Sequence, residues 1–155
     1  MTWQESQAHL VTGAALMLAC SLEAMPTERL EWVPDVEGAV DLRSAMSLVA
    51  ECIHTNTAIA GMLSGATPPE DNGNPVLKDS AQAAAQIRES AAQVADAIRG
   101  LNDEALDKVY QTYFAAMPGR ILLAVPMTNM MYHNGQLNLL QLLYGDSESH
   151  FPDFS

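Results

Sequence analysis

From Lys78 to Arg99 the residues with helical spacing for burial are mostly small: Ala81, Ala84, Ile87, Ala91, Val94, Ala95 and Ile98 form a narrow apolar stripe. So many alanines allow a neighbouring helix to approach closely. Three further stretches carry a helical period. The first runs from Gln4 to Ala24 through Leu10, Ala14, Met17 and Leu22, and Met25-Pro26-Thr27 ends it. The second runs from an N-cap at Asp41 through Met46, Val49, Ile53 and Ile59 to Leu63. The last covers Met127 to Leu143 and stops at Gly145, with Pro126 either opening it or kinking a helix that began near Ile121. Four long helical patterns without an alternating strand predict an all-α four-helix bundle.

The connections are legible by composition. Leu30-Glu31-Trp32-Val33-Pro34 forms a turn whose aromatic plugs one end of the core. Gly65 to Pro75, with Pro68, Pro69, Glu70 and Asp71, reads as an exposed loop. Gly100 suits the position just past the third helix. Asn102 caps a short segment from Asp103 to about Tyr110, and Tyr113 to Gly119 is ambiguous between extended and helical. The 155 residues make one domain, 1–155, with 146–155 (His150-Phe151-Pro152-Asp153-Phe154 included) as a tail.

Charge narrows the function. Seven Lys and Arg stand against nineteen Asp and Glu, a net charge of −12. Lys78, Lys108 and five scattered arginines give no basic patch, so nucleic acid is excluded as a partner. The apolar run Leu10–Leu22 is too short to span a membrane and follows Glu5 rather than a basic residue, which points to a soluble cytoplasmic protein. Cys20 and Cys52 lack CxxC spacing and a histidine neighbour and read as buried thiols. No phosphate-binding glycine loop and no G-x-S-x-G elbow is present.

Chemistry concentrates on two helices. Asn129, His133 and Gln136, spaced four and three apart, share an inward face with Leu137, Leu140 and Tyr144. Buried polar groups of this kind need partners. On the second helix His54 has Ala50, Glu51, Thr57 and Ala58 one turn away, and the small neighbours leave space beside its ring. Two converging imidazoles are a start for a divalent-metal site with an open position, or else a buried hydrogen-bond network without metal. Met127, Met130 and Met131 either favour a soft metal or fill core gaps. A ferritin-like oxidase needs more inward Glu and His than these helices offer. His9 and His150 lie near the termini.

The block His133-Asn134-Gly135-Gln136-Leu137-Asn138-Leu139-Leu140-Gln141-Leu142-Leu143-Tyr144-Gly145 resembles the C-terminal signature of the DinB-like (DinB/YfiT) superfamily, H-x-x-x-H-x-G-Q before an apolar stretch and Gly. Leu30–Pro34, with His54 some twenty residues on, is similar to the family's W-x-P turn and helix-two histidine. The resemblance extends from about Leu10 to Gly145. It implies a four-helix bundle with a long crossover after helix two, a homodimer, and a divalent metal, Zn or Ni, held by three histidines. His54 matches the first histidine and His133 the last, while the middle one falls on Asn129, whose amide is a poor ligand. Glu51 is placed to compensate.

Some members of that superfamily resemble thiol-dependent transferases or isomerases, in which a metal holds a small-molecule thiolate ready for an electrophile. On that reading His54, Asn129 and His133 form the metal site, Gln136 supports His133 or else serves helix packing or a dimer contact, and Tyr132 is a proton donor or an interfacial residue. The alternative is a non-catalytic bundle that has lost its metal through Asn129 and binds a small ligand or dimerises.

Overall fold

Thr2 starts the first helix with a reciprocal cap. Its hydroxyl accepts the Glu5 N–H at 3.1 Å, and the Glu5 carboxylate accepts the Thr2 N–H at 2.7 Å. The computed structural model describes residues 1–67, 73–112 and 115–153. Pro68, Pro69, Glu70, Asp71, Tyr113 and Phe154, named above, lie outside the described residues.

Helix α1 spans Trp3–Glu23 and buries Val11, Ala15, Leu18 and Leu22, while Leu10 is exposed. The segment is apolar on more than one side, so period alone did not select the buried face. Helix α2 spans Ala45–Leu63, and its N-cap is Ser44, not Asp41. The Ser44 hydroxyl accepts the Ser47 N–H at 3.2 Å and donates to Glu31 Oε2 at 2.9 Å, which ties the cap to the Trp32 turn. Asp41 sits in the loop at φ +56°, a left-handed conformation outside the helix.

Helix α3, Ser80–Arg99, starts on an Asp79 cap and buries Ala83, Ala84, Ile87, Ala91, Val94, Ala95 and Ile98. Ala83 takes the inward place expected of Ala81, which is exposed. Gly100 closes this helix in a right-handed conformation (φ −79°), so it does not use the freedom of glycine. Asn102 caps the five-residue α4, Asp103–Asp107, at 2.9 Å from the Ala105 N–H.

A small hairpin follows where helix or ambiguity was expected. Strand β1 (Val109–Gln111) pairs antiparallel with β2 (Ala116–Pro118), Tyr110 opposite Met117. Three-residue strands are too short for alternation to register in a sequence. Gly119 opens a single-turn helix α5, Gly119–Leu122, and α6 runs Val125–Leu143 with Pro126 in its first turn. Pro126 therefore opens the last helix, where its missing N–H has no partner to lose. Gly145, at φ +96°, ends it.

Helix α1 packs on α3 and α6, and α2 packs on the same two, so α1 and α2 stand at opposite corners. The connections that cross the bundle are thus α1 to α2 and α3 to α6. Helices α2 and α3 are neighbours that run the same way, the Leu63 end of one beside Asn102 just past the other, so joining them takes the long crossover expected after helix two. Leu18, Leu22, Val49, Ile87, Val94, Met130 and Leu137 fill the centre. Trp32 closes one end edge-on to Tyr144, ring centroids 6.2 Å apart. The 146–153 segment folds back: His150 Nε2 lies 2.8 Å from Asp146 Oδ2, and Pro152 is buried. Cys52 is buried, Cys20 partly so, and both are free. Among the described residues no helix is long and apolar enough to cross a membrane.

Candidate functional site

A cavity of about 570 Å³ lies between α6, the start of α2 and the loop that precedes it. Its volume falls in the range of roughly 300–1,000 Å³ common for small-molecule sites. The walls are apolar: Pro34, Val36 and Leu42 from the loop face Leu139, Leu140 and Leu143 of α6. The floor is polar and is built by four side chains in series.

Arg43 stands just before the Ser44 cap and folds back along α2. Its Nε donates to Ser47 Oγ at 3.2 Å, Nη2 to the Ser47 carbonyl at 2.9 Å, and Nη1 to Glu51 Oε2. Glu51 Oε1 is 3.0 Å from His133 Nε2 and 3.5 Å from the Nδ2 of Asn129. His133 Nδ1 is 2.6 Å from Gln136 Oε1, one turn along α6. The ionised Glu51 carboxylate only accepts, so Nε2 carries the proton of that bond; Nδ1 then accepts from a Gln136 amide turned end for end, or donates to its Oε1 when the ring is doubly protonated. The His133 side chain is 5 % exposed and Glu51 34 %.

Burial works to raise the Glu51 pKa, but hydrogen bonds from Arg43 and His133 outweigh it and hold the carboxyl below its ordinary value of 4.5. Burial pushes the Cys52 thiol well up, which keeps it protonated and unreactive. Glu51 and Asn129 also border a second, smaller cavity of about 130 Å³, so they form the wall between the two.

The inward line Asn129, His133 and Gln136 is thus assembled as its spacing implied, and Glu51 joins it. His54 does not. It is half-buried on α2, does not line the cavity, and its Nε2 is buried without a hydrogen-bond partner. Tyr132 is no core residue: it is 66 % exposed at the cavity rim, edge-on to the His133 ring at 5.2 Å. Arg43 is the residue the sequence reading passed over. The spacing Arg43-x3-Ser47-x3-Glu51 places three polar groups on one stripe at a helix start, and that pattern was available.

The residues at this floor do not fit a divalent metal. No three His, Cys, Asp or Glu side chains converge to hold an ion among the described residues. Next to the carboxylate there is already a guanidinium, whose charge opposes a second cation. His133 has no ring nitrogen free without breaking a hydrogen bond.

The four helices, with paired corners and a cavity against the last of them, define a helical bundle with a side pocket. Among the solved structures similar to it are two DinB-like proteins. One, a DinB-like protein from Bacillus subtilis, has a TM-score of 0.72 at 18 % identity, covering 97 % of this chain and 98 % of that one. A DinB-like protein from Bacillus cereus gives 0.67 at 19 % identity over 93 % and 95 %. A conserved protein from Enterococcus faecalis gives 0.69 at 14 % identity over 94 % and 99 %. The chain has the DinB-like fold. No protein-family model and no curated protein matches it.

Proposed function

We propose that this chain is a non-catalytic DinB-like bundle that binds a small, mainly apolar molecule in the cavity against α6. The observation that carries the reading is the state of His133: Glu51 and Gln136 take both ring nitrogens. A general base or a metal ligand needs one of them free. The apolar walls and the pre-formed polar floor are what a small-molecule site requires.

The test is saturation of a neutral apolar dye such as Nile red, read by its fluorescence, beside elemental analysis of untagged protein and titration with Zn and Ni. The expected result is saturable dye binding that weakens about tenfold or more in Leu139→Glu, a change at an exposed wall position that leaves the core alone. No stoichiometric metal and no thermal shift at micromolar Zn or Ni are expected. Stoichiometric metal retained by the wild type and lost in His133→Ala would instead restore the metal-dependent thiol transferase. Absence of saturable dye binding would sink the binding reading.

A further inference from the structure

We infer that the cavity selects a ligand whose head donates hydrogen bonds and carries no negative charge, on an apolar body. The inference rests on the binding reading above and adds to it the chemistry of the head group. Its ground is the polar inventory of the floor. Arg43 is the one cation lining the cavity among the described residues. Each of its three guanidinium nitrogens already donates, to Ser47 Oγ, to the Ser47 carbonyl and to Glu51. Its charge is matched by the Glu51 carboxylate in direct contact.

Acceptors, by contrast, are in excess. Asp41 adds a second carboxylate at the rim. Asn129 turns its Nδ2 toward Glu51, and its Oδ1 is buried with no donor, a polar atom left without the bond that burial demands. An anionic head entering here meets two carboxylates and a cation that is already neutralised. Like charges brought together in a partly desolvated site are repelled strongly, and that discriminates more than it binds. A hydroxyl or ammonium head seated against the partly exposed Glu51 carboxylate donates to it, while the chain of the ligand lies along Val36, Leu42, Leu139 and Leu143.

The experiment is displacement of bound Nile red by octanol, octylamine and octanoate at neutral pH, compounds with one body and three heads. Octanol and octylamine are each expected to displace the dye at concentrations about tenfold or more below that of octanoate. In Glu51→Gln, which frees Arg43 of its counter-charge, octanoate is expected to gain about tenfold while octanol does not. Should Glu51→Gln fail to fold by circular dichroism, Asp41→Asn serves. The Asp41 side chain is exposed, and asparagine tolerates its positive φ. That variant is expected to improve octanoate selectively. If octanoate displaces the dye as well as either partner compound, the head-group inference is overturned while the binding reading stands. If the dye itself does not saturate, the binding reading fails first.

Discussion

Glu51 Oε1 lies 3.0 Å from His133 Nε2, and this contact bridges the second helix to the last across the cavity floor. The other carboxylate oxygen takes Arg43, at the end of the loop that walls the cavity. One carboxylate therefore ties the loop just before α2 and α2 itself to the last helix, whose His133 is 82 residues on. His133 is buried and Glu51 half-buried, so removing the carboxylate leaves the imidazole without its partner, which is where the energetic weight of the contact lies.

Acid should weaken that tie in a defined window. The Glu51 carboxyl is held below its ordinary value of 4.5 despite the opposing effect of burial. A carboxyl depressed in the folded state adds stability above its unfolded pKa and loses it as pH falls through the folded one. Urea midpoints of wild type and Glu51→Gln should thus differ at neutral pH and converge as the pH falls below the ordinary value of 4.5. A constant difference across that range would show that the carboxylate charge contributes nothing.

Two glycines should respond in opposite directions. A Cβ built on Gly119 would stand 2.5 Å from the Ala105 carbonyl oxygen and 2.8 Å from that of Leu106. These are backbone atoms that cannot swing aside, so Gly119→Ala must push α5 off α4. The expected loss is about 1–3 kcal/mol, the scale of overpacking. Gly135, inside α6, has nothing within 4 Å of its would-be Cβ. Gly135→Ala should gain about 0.5–1 kcal/mol, the entropy of a mid-helix glycine. Thermal unfolding of the two variants decides both points, and a destabilised Gly135→Ala would mean that position serves a contact outside the monomer.

The four long helices were legible because each is long enough for a 3.6-residue period to accumulate and because Gly145 stops the last of them; Asn102 marked the short α4 in the same local way. What failed was local and short. Asp41 and Ser44 are both good caps three residues apart, and only the tertiary bond from Ser44 to Glu31 separates them. The hairpin at Val109–Gln111 holds three residues per strand, below the length at which alternation means anything. At the site, the face shared by Asn129, His133 and Gln136 followed from spacing within one helix. Which helix-two residue meets it did not, since Glu51 and His54 are a turn apart and a small rotation of α2 exchanges them. Arg43 stands just ahead of α2, and its four-residue spacing to Ser47 and Glu51 was the one signal that pointed to it.

The buried polar pair in the core offers a cleaner energetic test. Asn56 is wholly buried; its Nδ2 donates to Ser90 Oγ at 3.2 Å and approaches Met130 Sδ at 3.5 Å, while its Oδ1 has no partner. Ser90→Ala removes the acceptor and should cost about 1–3 kcal/mol. In a Ser90→Ala background, Asn56→Leu removes the stranded amide and should recover part of that loss. The cycle is expected to give a coupling of about 1 kcal/mol by urea denaturation. Strictly additive losses would mean the two side chains do not support each other.

Arg29 is held at the closed end of the bundle by two rings: its guanidinium carbon is 4.9 Å from the Trp32 ring centroid and 5.4 Å from that of Tyr144. Tyr144 is the last turn of α6 and Trp32 lies in the turn before α2, so the cation joins two elements that also meet edge-on. The rings stand at 73° to each other, so a planar guanidinium can lie flat on one and turn its N–H edge to the other, whereas an ammonium is a point charge that serves one of them well. Each such contact at a partly exposed site is worth about 0.5–1 kcal/mol. Arg29→Ala should therefore lower stability by roughly 1–2 kcal/mol, with Arg29→Lys between it and wild type. Because cation and ring interact through the ring quadrupole and packing as well as charge, the loss should persist in half-molar salt. A loss that vanishes with salt would assign Arg29 to the diffuse attraction of a strongly acidic surface, and not to the two rings.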